Sequence, residues 1–231
     1  MTAPSPGPAP GGAAPGAGSG TAPAGELVVE GGAPLRGTVR VPGDKSVSHR
    51  ALLLAALAEG TSKVSGRSRG ADLEHTADAV RALGAGIRQE GPWEVVTGGR
   101  QRLGEPARSI DCGNSGTGVR LLAGLVAGLD GLFVLEGDAS VASRPMDRVA
   151  QPLREMGAVV DGRMGGTRVP LVVRGGRLEG IEHAPAVASA QVKGAVLLAG
   201  LAARGETVIH ERSATRAHSE ELLALAGADL E

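Results

Sequence analysis

Three short polar stretches, each set just ahead of an apolar run, hold the side chains of this sequence best suited to chemistry. They are Gly43-Asp44-Lys45-Ser46-Val47-Ser48-His49-Arg50, Gly113-Asn114-Ser115-Gly116-Thr117-Gly118 and Ser189-Ala190-Gln191-Val192-Lys193. The apolar runs read as helices, so the polar stretches stand at helix N-termini, where unpaired N–H groups and the positive end of the helix dipole receive anions. In the first stretch Ser46 and Arg50 are four residues apart and share a helix face, with Lys45 at the entrance. A hydroxyl, a guanidinium and an ammonium can therefore converge on phosphate or carboxylate oxygens. A lone Lys-Arg pair at a helix start is ordinarily solvated surface charge; the recurrence of such starts argues for a shared site. Gly116 and Gly118, costly at a helix start, imply either a ligand brought close to the backbone or tight helix packing, and the residues alone leave both open. The expected ligand is a small, multiply charged anion.

The elements that must carry these stretches repeat. Leu53-Leu54-Ala55-Ala56-Leu57-Ala58, Leu121-Leu122-Ala123-Gly124-Leu125-Val126 and Leu197-Leu198-Ala199-Gly200-Leu201-Ala202 are near copies. Leu83-Gly84-Ala85, Met156-Gly157-Ala158 and Ala226-Gly227-Ala228 keep step, their glycines about 70 residues apart. Each copy predicts an apolar helix, then a strand (Lys63 to Gly66, Leu132 to Glu136, Thr207 to Glu211), then an amphipathic helix stopped by glycine (Leu73 to Leu83, Met146 to Met156, Ser219 to Ala226). Strand pairs follow at Gly86 to Glu90 with Glu94 to Thr97, and at Val159 to Arg163 with Arg168 to Val173; a third pair is expected where the sequence ends, at Glu231. A helix apolar on nearly all sides must be buried, so the simplest arrangement is three buried helices inside a wall of sheet. Ala55, Gly124, Gly128 and Gly200 would let those helices approach closely, against a cost of about 1 kcal/mol per helical glycine.

Composition narrows the partners. The chain of 231 residues is 42% apolar yet has one Phe, one Trp and no Tyr, so the core falls to Leu, Val and Ala, and no aromatic platform for stacking bases exists. A formal net charge of −1 gives no overall attraction to nucleic acid or to an anionic membrane, and neither is an expected partner. The lone Cys112 reads as a buried strand residue rather than a nucleophile, and with His75, His183 and His210 scattered, neither a metal nor a cofactor is expected. The apolar run Leu121 to Leu129 falls far short of the ~20 residues that span a bilayer, and a cytoplasmic location is the default. Residues 1–25, almost wholly Ala, Pro, Gly, Ser and Thr, fit neither a signal nor a transit peptide and read as a disordered leader. Two nucleotide motifs are excluded: Asp44 interrupts the Gly-Lys pair of a P-loop, and Gly113 to Gly118 lacks the spacing and βαβ setting of a dinucleotide fingerprint.

Val41-Pro42-Gly43-Asp44-Lys45-Ser46-Val47-Ser48-His49-Arg50 resembles the amino-terminal signature of the 3-phosphoshikimate 1-carboxyvinyltransferase (EPSP synthase) family. It is followed, in the family's order, by Gly113 to Arg120, Ser143-Arg144-Pro145-Met146, Ser189 to Lys193 and Thr215-Arg216-Ala217-His218. The match covers about residues 27–231. The resemblance implies an α/β fold, an inside-out, barrel-like domain of repeated βαβαββ units with helices buried behind sheets, one of two domains that close on substrates. On that pattern residues 26–42 supply strands to a second domain that is missing here, and 43–231 form a three-repeat substrate-binding domain whose third repeat is incomplete.

The implied reaction moves the enolpyruvyl group of phosphoenolpyruvate to the 5-hydroxyl of shikimate 3-phosphate, in the shikimate pathway of aromatic amino acid biosynthesis. By resemblance Lys45, Ser46 and Arg50 hold shikimate 3-phosphate, with Lys45 also reaching phosphoenolpyruvate as the catalytic residue of this half. Gly116, by backbone approach, and Arg144, as a neutralising cation, bind phosphoenolpyruvate. Ser189, Ala190 and Gln191 line the shikimate phosphate pocket, and Arg216 adds a positive group. Asn114 and Thr117 shape the turn, and His49 orients the first loop. Ala217 stands where several relatives have Asp, which removes a local carboxylate from Arg216. In the family the acid and base groups come mainly from the other domain, so this chain alone is expected to turn over little or no substrate, with that carboxy-terminal domain as its complementing partner. Gly116, without a methyl group, implies sensitivity to glyphosate in the intact enzyme. Two rivals remain. A UDP-N-acetylglucosamine enolpyruvyl transferase would carry a Lys-Asn start and a loop cysteine, against Lys45-Ser46 and the position of Cys112; the other rival is a non-catalytic anion-binding domain.

Overall fold

The computed structural model describes residues 27, 28, 31, 32, 34 and 36–231. The chain divides into a unit of Met1–Arg40 and a unit of Val41–Glu231. The described residues of the first are in neither helix nor strand, and the leader expected at 1–25 lies outside the described residues.

In the second unit the elements run α1 (Lys45–Leu57), β1 (Gly60–Ser65), α2 (Ala71–Leu83), β2 (Gly86–Glu90), β3 (Trp93–Gly98), β4 (Ile110–Asp111), α3 (Gly116–Ala127), β5 (Gly131–Glu136) and α4 (Ala139–Ser143). They continue as α5 (Asp147–Glu155), β6 (Val159–Gly162), β7 (Leu171–Gly175), β8 (Leu178–Glu179), β9 (Glu182–His183), α6 (Ala190–Gly200), β10 (Ala203–Arg204), β11 (Val208–Ile209) and α7 (His218–Leu225). The repeat is visible in the order: α1, α3 and α6 are the apolar helices, and α2, α5 and α7 the amphipathic ones.

Local chemistry sets where the apolar helices begin. Asp44, Ser115 and Ser189 act as N-caps, accepting from the amides of Val47 (2.8 Å), Gly118 (2.9 Å) and Val192 (3.3 Å). Helix α2 ends at Gly84 in a left-handed conformation, as its sequence position anticipates. Gly43 must be glycine for another reason: a Cβ there would collide with the carbonyl oxygen of Gly66, because the two backbones touch where the chain enters α1.

One sheet is antiparallel, in the order β1-β3-β2, with Lys63 opposite Val95 and Arg88 opposite Val95 on the far side. A second runs β4-β5-β7-β6, where β4 lies parallel to β5 and Phe133 pairs with Val173. Two short parallel pairs, β8 with β10 and β9 with β11, flank the third apolar helix in sequence. Helix α3 is central: apart from Thr117 and Arg120 it is buried throughout, and it packs on α6 and α1. Leu121, Leu122, Leu125, Phe133, Leu153, Ala195 and Val196 lie in the same core. Gly124 makes the α3–α6 approach, since a Cβ there would collide with the carbonyl oxygen of Ala195.

Three details differ from expectation. The strand expected at Thr207 to Glu211 is shorter, limited to β11, and the separate strand β10 precedes it; Gly205, with a left-handed φ of 77°, turns the chain between the two. Gly200 meets the side chain of Thr207 rather than another helix, so it serves a helix-to-strand contact. Short β4, α4, β8 and β9 carry too few residues for periodicity to reveal them. No helix among the described residues is long and apolar enough to cross a membrane.

Candidate anion-binding site

The three apolar helices start beside one another, and side chains join each start to the other two. Between α1 and α3, buried His49 places Nδ1 2.7 Å from the hydroxyl of Thr76 on α2 and Nε2 3.3 Å from that of Ser115. Thr76 already donates to the carbonyl of Asp72, so the network assigns the imidazole proton to Nδ1 and leaves Nε2 to accept from Ser115. Between α1 and α6, Nη2 of Arg50 donates to the carbonyl of Ala190 at 3.0 Å. Between α3 and α6, Arg120 donates to Oε1 of Gln191 at 3.0 Å, and Nε2 of Gln191 donates to Thr117 at 2.8 Å. Packed helices so tied cannot slide independently, and the polar starts of α1 and α6 form one floor.

A cleft of about 450 Å³ opens over that floor. Ser46, Arg50, Ser189, Ala190, Gln191 and Arg216 line it, together with Thr215 and His218. Arg50 is buried, and all its bonds go to neutral acceptors: Ser219 Oγ at 2.6 Å and the carbonyls of Ser46 and Ala190. Burial draws its pKa below the usual guanidinium value, but an arginine still carries its charge here. His218 also borders the cleft, and its buried Nδ1 has no protein partner. The first helix start is less open to anions than its amides suggest. Asp44 already caps it, and the Val47 amide holds that carboxyl below the ordinary range, so α1 offers side chains rather than free dipole to the cleft.

Beside the cleft, Gly116 opens α3 between two guanidiniums, Nη1 of Arg144 lying 2.7 Å and Nη1 of Arg120 3.0 Å from where its Cβ would be. Arg144 bonds to Asn114 and Ser140, and Arg120 to the carbonyls of Gly116 and Pro145 and to Gln191. Every one of these acceptors is neutral. Burial first, then the neighbouring Arg144 and Arg148, pull the pKa of Arg120 down against a smaller opposing pull from Asp147. The arrangement can neutralise an anion seated over Gly116, with Gln191 bridging to the cleft.

The candidate residues thus fall into groups. Ser46, Arg50, Ser189, Ala190, Gln191 and Arg216 meet in the cleft, and Gly116 and Arg144 meet next to it. Lys45 stands apart: its side chain is 57% exposed and paired with Asp72 of α2, and it is absent from the cleft lining. Asn114 holds Arg144 and Thr117 holds Gln191, which is more than shaping a turn. His49 ties helices rather than a loop. Arg120, Thr215 and His218 lie in the motifs quoted from the sequence but receive no site role there; Arg120 lies one helical turn after Gly116, a spacing that points to it. Lys193, quoted in the third stretch, is buried against Glu211 and Glu220 and does not line the cleft. Cys112 is buried just past β4, its thiol pushed up to about 12 by burial and by Asp111 and Glu136, which suits packing and not nucleophilic attack. Among the described residues no cluster of His, Cys, Asp or Glu is placed to hold a metal.

Fold and cleft together define an α/β protein of triplicated units that gathers cations at the joined starts of buried helices. The family model for EPSP synthase (3-phosphoshikimate 1-carboxyvinyltransferase) matches residues 29–231, and the chain belongs to that family. It is 54% identical over 199 residues to a 3-phosphoshikimate 1-carboxyvinyltransferase of Thermus thermophilus, covering 86% of this chain and 47% of the relative. With that of Anaeromyxobacter sp. strain K it shares 52% over 200 residues, 87% of this chain and 45% of the relative. The EPSP synthase structure from Acinetobacter baumannii superposes with a TM-score of 0.80 at 42% identity, covering 84% of this chain and 44% of the other. The chain therefore spans about half the length of the curated relatives it matches, and its α/β architecture is that of the enolpyruvyl transferases.

Proposed function

We propose that this chain supplies the shikimate 3-phosphate cleft and the phosphoenolpyruvate cations of a 3-phosphoshikimate 1-carboxyvinyltransferase. One observation carries the reading: two adjoining cationic sites, one around Arg50 and Arg216 and one around Gly116, Arg120 and Arg144, are joined by the single side chain of Gln191. A transferase that joins two phosphorylated substrates needs two anion sites within bonding distance of each other, and because Arg50, Arg120 and Arg144 donate only to neutral acceptors, their charges stay available to ligand oxygens. Ser46 and Ser189 add hydroxyls at helix starts, while Arg144 and Arg120 neutralise the carboxylate and phosphate of the enolpyruvyl donor. Lys45, released from Asp72, would turn toward the donor. Residues 26–42 would pair with the part of the longer relatives that this chain does not span, and that part would bring the acid and base groups. Alone, these residues bind and orient; the proton transfers need partners.

The test is calorimetry of the 231-residue chain with shikimate 3-phosphate. A charge-assisted hydrogen bond contributes about 1.5–3 kcal/mol, so Arg216→Ala should weaken binding roughly tenfold or more. A wild-type chain that takes up no shikimate 3-phosphate at millimolar concentration would leave the cleft without its proposed ligand.

A further inference from the structure

Thr215 and Arg216 reach the cleft from an irregular segment between β11 and α7, and such a segment needs a fixed point to aim its side chains. Lys193 provides one. It lies on α6, just past the cleft residues Ser189, Ala190 and Gln191, with a side chain 4% exposed. Its ammonium bonds to Oε2 of Glu211 at 2.8 Å and to Oε1 of Glu220 at 2.5 Å. Glu211 begins the segment, and Glu220 lies in the first turn of the helix that ends it. One buried cation therefore holds both ends.

The surroundings extend the hold into the cleft. The other oxygen of Glu211 accepts from the hydroxyl of Thr215 at 2.5 Å, and Ser219, next to Glu220, accepts from Arg50 at 2.6 Å. Gly194 leaves the room for this, since a Cβ there would stand 2.7 Å from Oγ of Ser219 and 3.3 Å from Nη2 of Arg50. Burial works against the ammonium, but the hydrogen bonds it donates to Glu211 and Glu220 outweigh it and raise its pKa. We propose that Lys193 is a positioning residue that clasps Glu211 and Glu220 and so holds the 211–217 segment, with Thr215 and Arg216, against the cleft. The ligand in this inference rests on the function proposed above; the clasp does not.

Without the ammonium, two carboxylates face each other with no cation between them and push the segment open. Trypsin reads this directly, because Arg212 and Arg216 both lie in the segment and are exposed. Cleavage after these two residues and binding of shikimate 3-phosphate should be measured together at about pH 7.5 and about pH 5.5, each relative to wild type, for Lys193→Met and Glu211→Gln. Lys193→Met should be cut there about tenfold faster and bind about tenfold more weakly, and both gaps should narrow at the lower pH as one carboxylate takes up a proton. Adding Glu211→Gln and Glu220→Gln to Lys193→Met should restore most of the protection. Glu211→Gln, which alters only a partly exposed group and keeps the fold if Lys193→Met does not, should speed cleavage after Arg212 severalfold. Unchanged cleavage in both single variants would overturn the clasp, as would equal acceleration after Arg88 in β2, which marks general unfolding. Faster cleavage with undiminished ligand binding would overturn the positioning role. Faster cleavage in a protein whose wild type binds no shikimate 3-phosphate would uphold the clasp and count against the ligand alone.

Discussion

A methyl group added at Gly116 would stand 2.7 Å from Nη1 of Arg144 and 3.0 Å from Nη1 of Arg120. Both are tips of flexible side chains, so the fold can absorb the change, and alanine suits a helix better than glycine. The cost falls on the cations, which must move from the place where they converge. Gly116→Ala is therefore expected to leave the thermal midpoint unchanged or raised while weakening phosphoenolpyruvate binding severalfold. Calorimetry beside a melting curve separates the two effects. The close packing of Arg120 against Gly116 also gives the glycine its reason, which the sequence alone left undecided between ligand approach and helix packing: it makes room for guanidiniums.

At the scale of elements, the joined helix starts hinge on His49. Desolvation, with Lys45 as a lesser cause, lowers its pKa from 6.5 to about 4, so the folded protein holds the ring neutral where the unfolded chain would protonate it. The unfolded state then binds more protons between those two values, and stability is lost as pH falls from about 6.5 toward 4. Over that window the loss amounts to about 3 kcal/mol. Urea denaturation at stepped pH should show it, and His49→Gln should flatten the slope even if it lowers stability throughout. Helix packing supplies a second test. Because a Cβ at Gly124 would run into the backbone oxygen of Ala195, Gly124→Ala forces α3 and α6 apart and should cost about 1–3 kcal/mol. A stability equal to wild type would mean that the two helices do not pack as closely as described.

At the scale of the molecule, a net charge of −1 hides a local asymmetry: Arg50, Arg120, Arg144 and Arg216 gather at the joined helix starts, with neutral acceptors around Arg50, Arg120 and Arg144. Exposed charges are screened within about 8 Å at physiological salt, so the affinity for phosphorylated ligands should fall as salt rises, with Arg216 responsible for more of the slope than buried Arg50. The curated relatives are about twice as long, and on the function proposed above the acid and base groups would come from the part this chain does not span. The purified chain is expected to bind without turning over, and a separately made polypeptide matching the rest of a relative should restore product formation when mixed with it. Robust release of phosphate by the chain alone would refute this division of labour.

The sequence by itself determined the triplicated unit, the three apolar helices and their polar starts, because those features are local: spacing, caps and stop glycines act within a few residues. It also marked most of the cleft, since Ser46, Arg50, Ser189, Ala190 and Gln191 all lie at helix starts that repetition singles out. Only tertiary structure decided which of the cations converge. Arg120 joins Gln191 across 71 positions, Arg50 meets Ser219 across 169, and Lys45 turns to Asp72 instead of the cleft. Such choices depend on which charged partner the packing brings near. Neither periodicity nor propensity carries that information, and a side chain with several rotamers takes the partner that the fold presents.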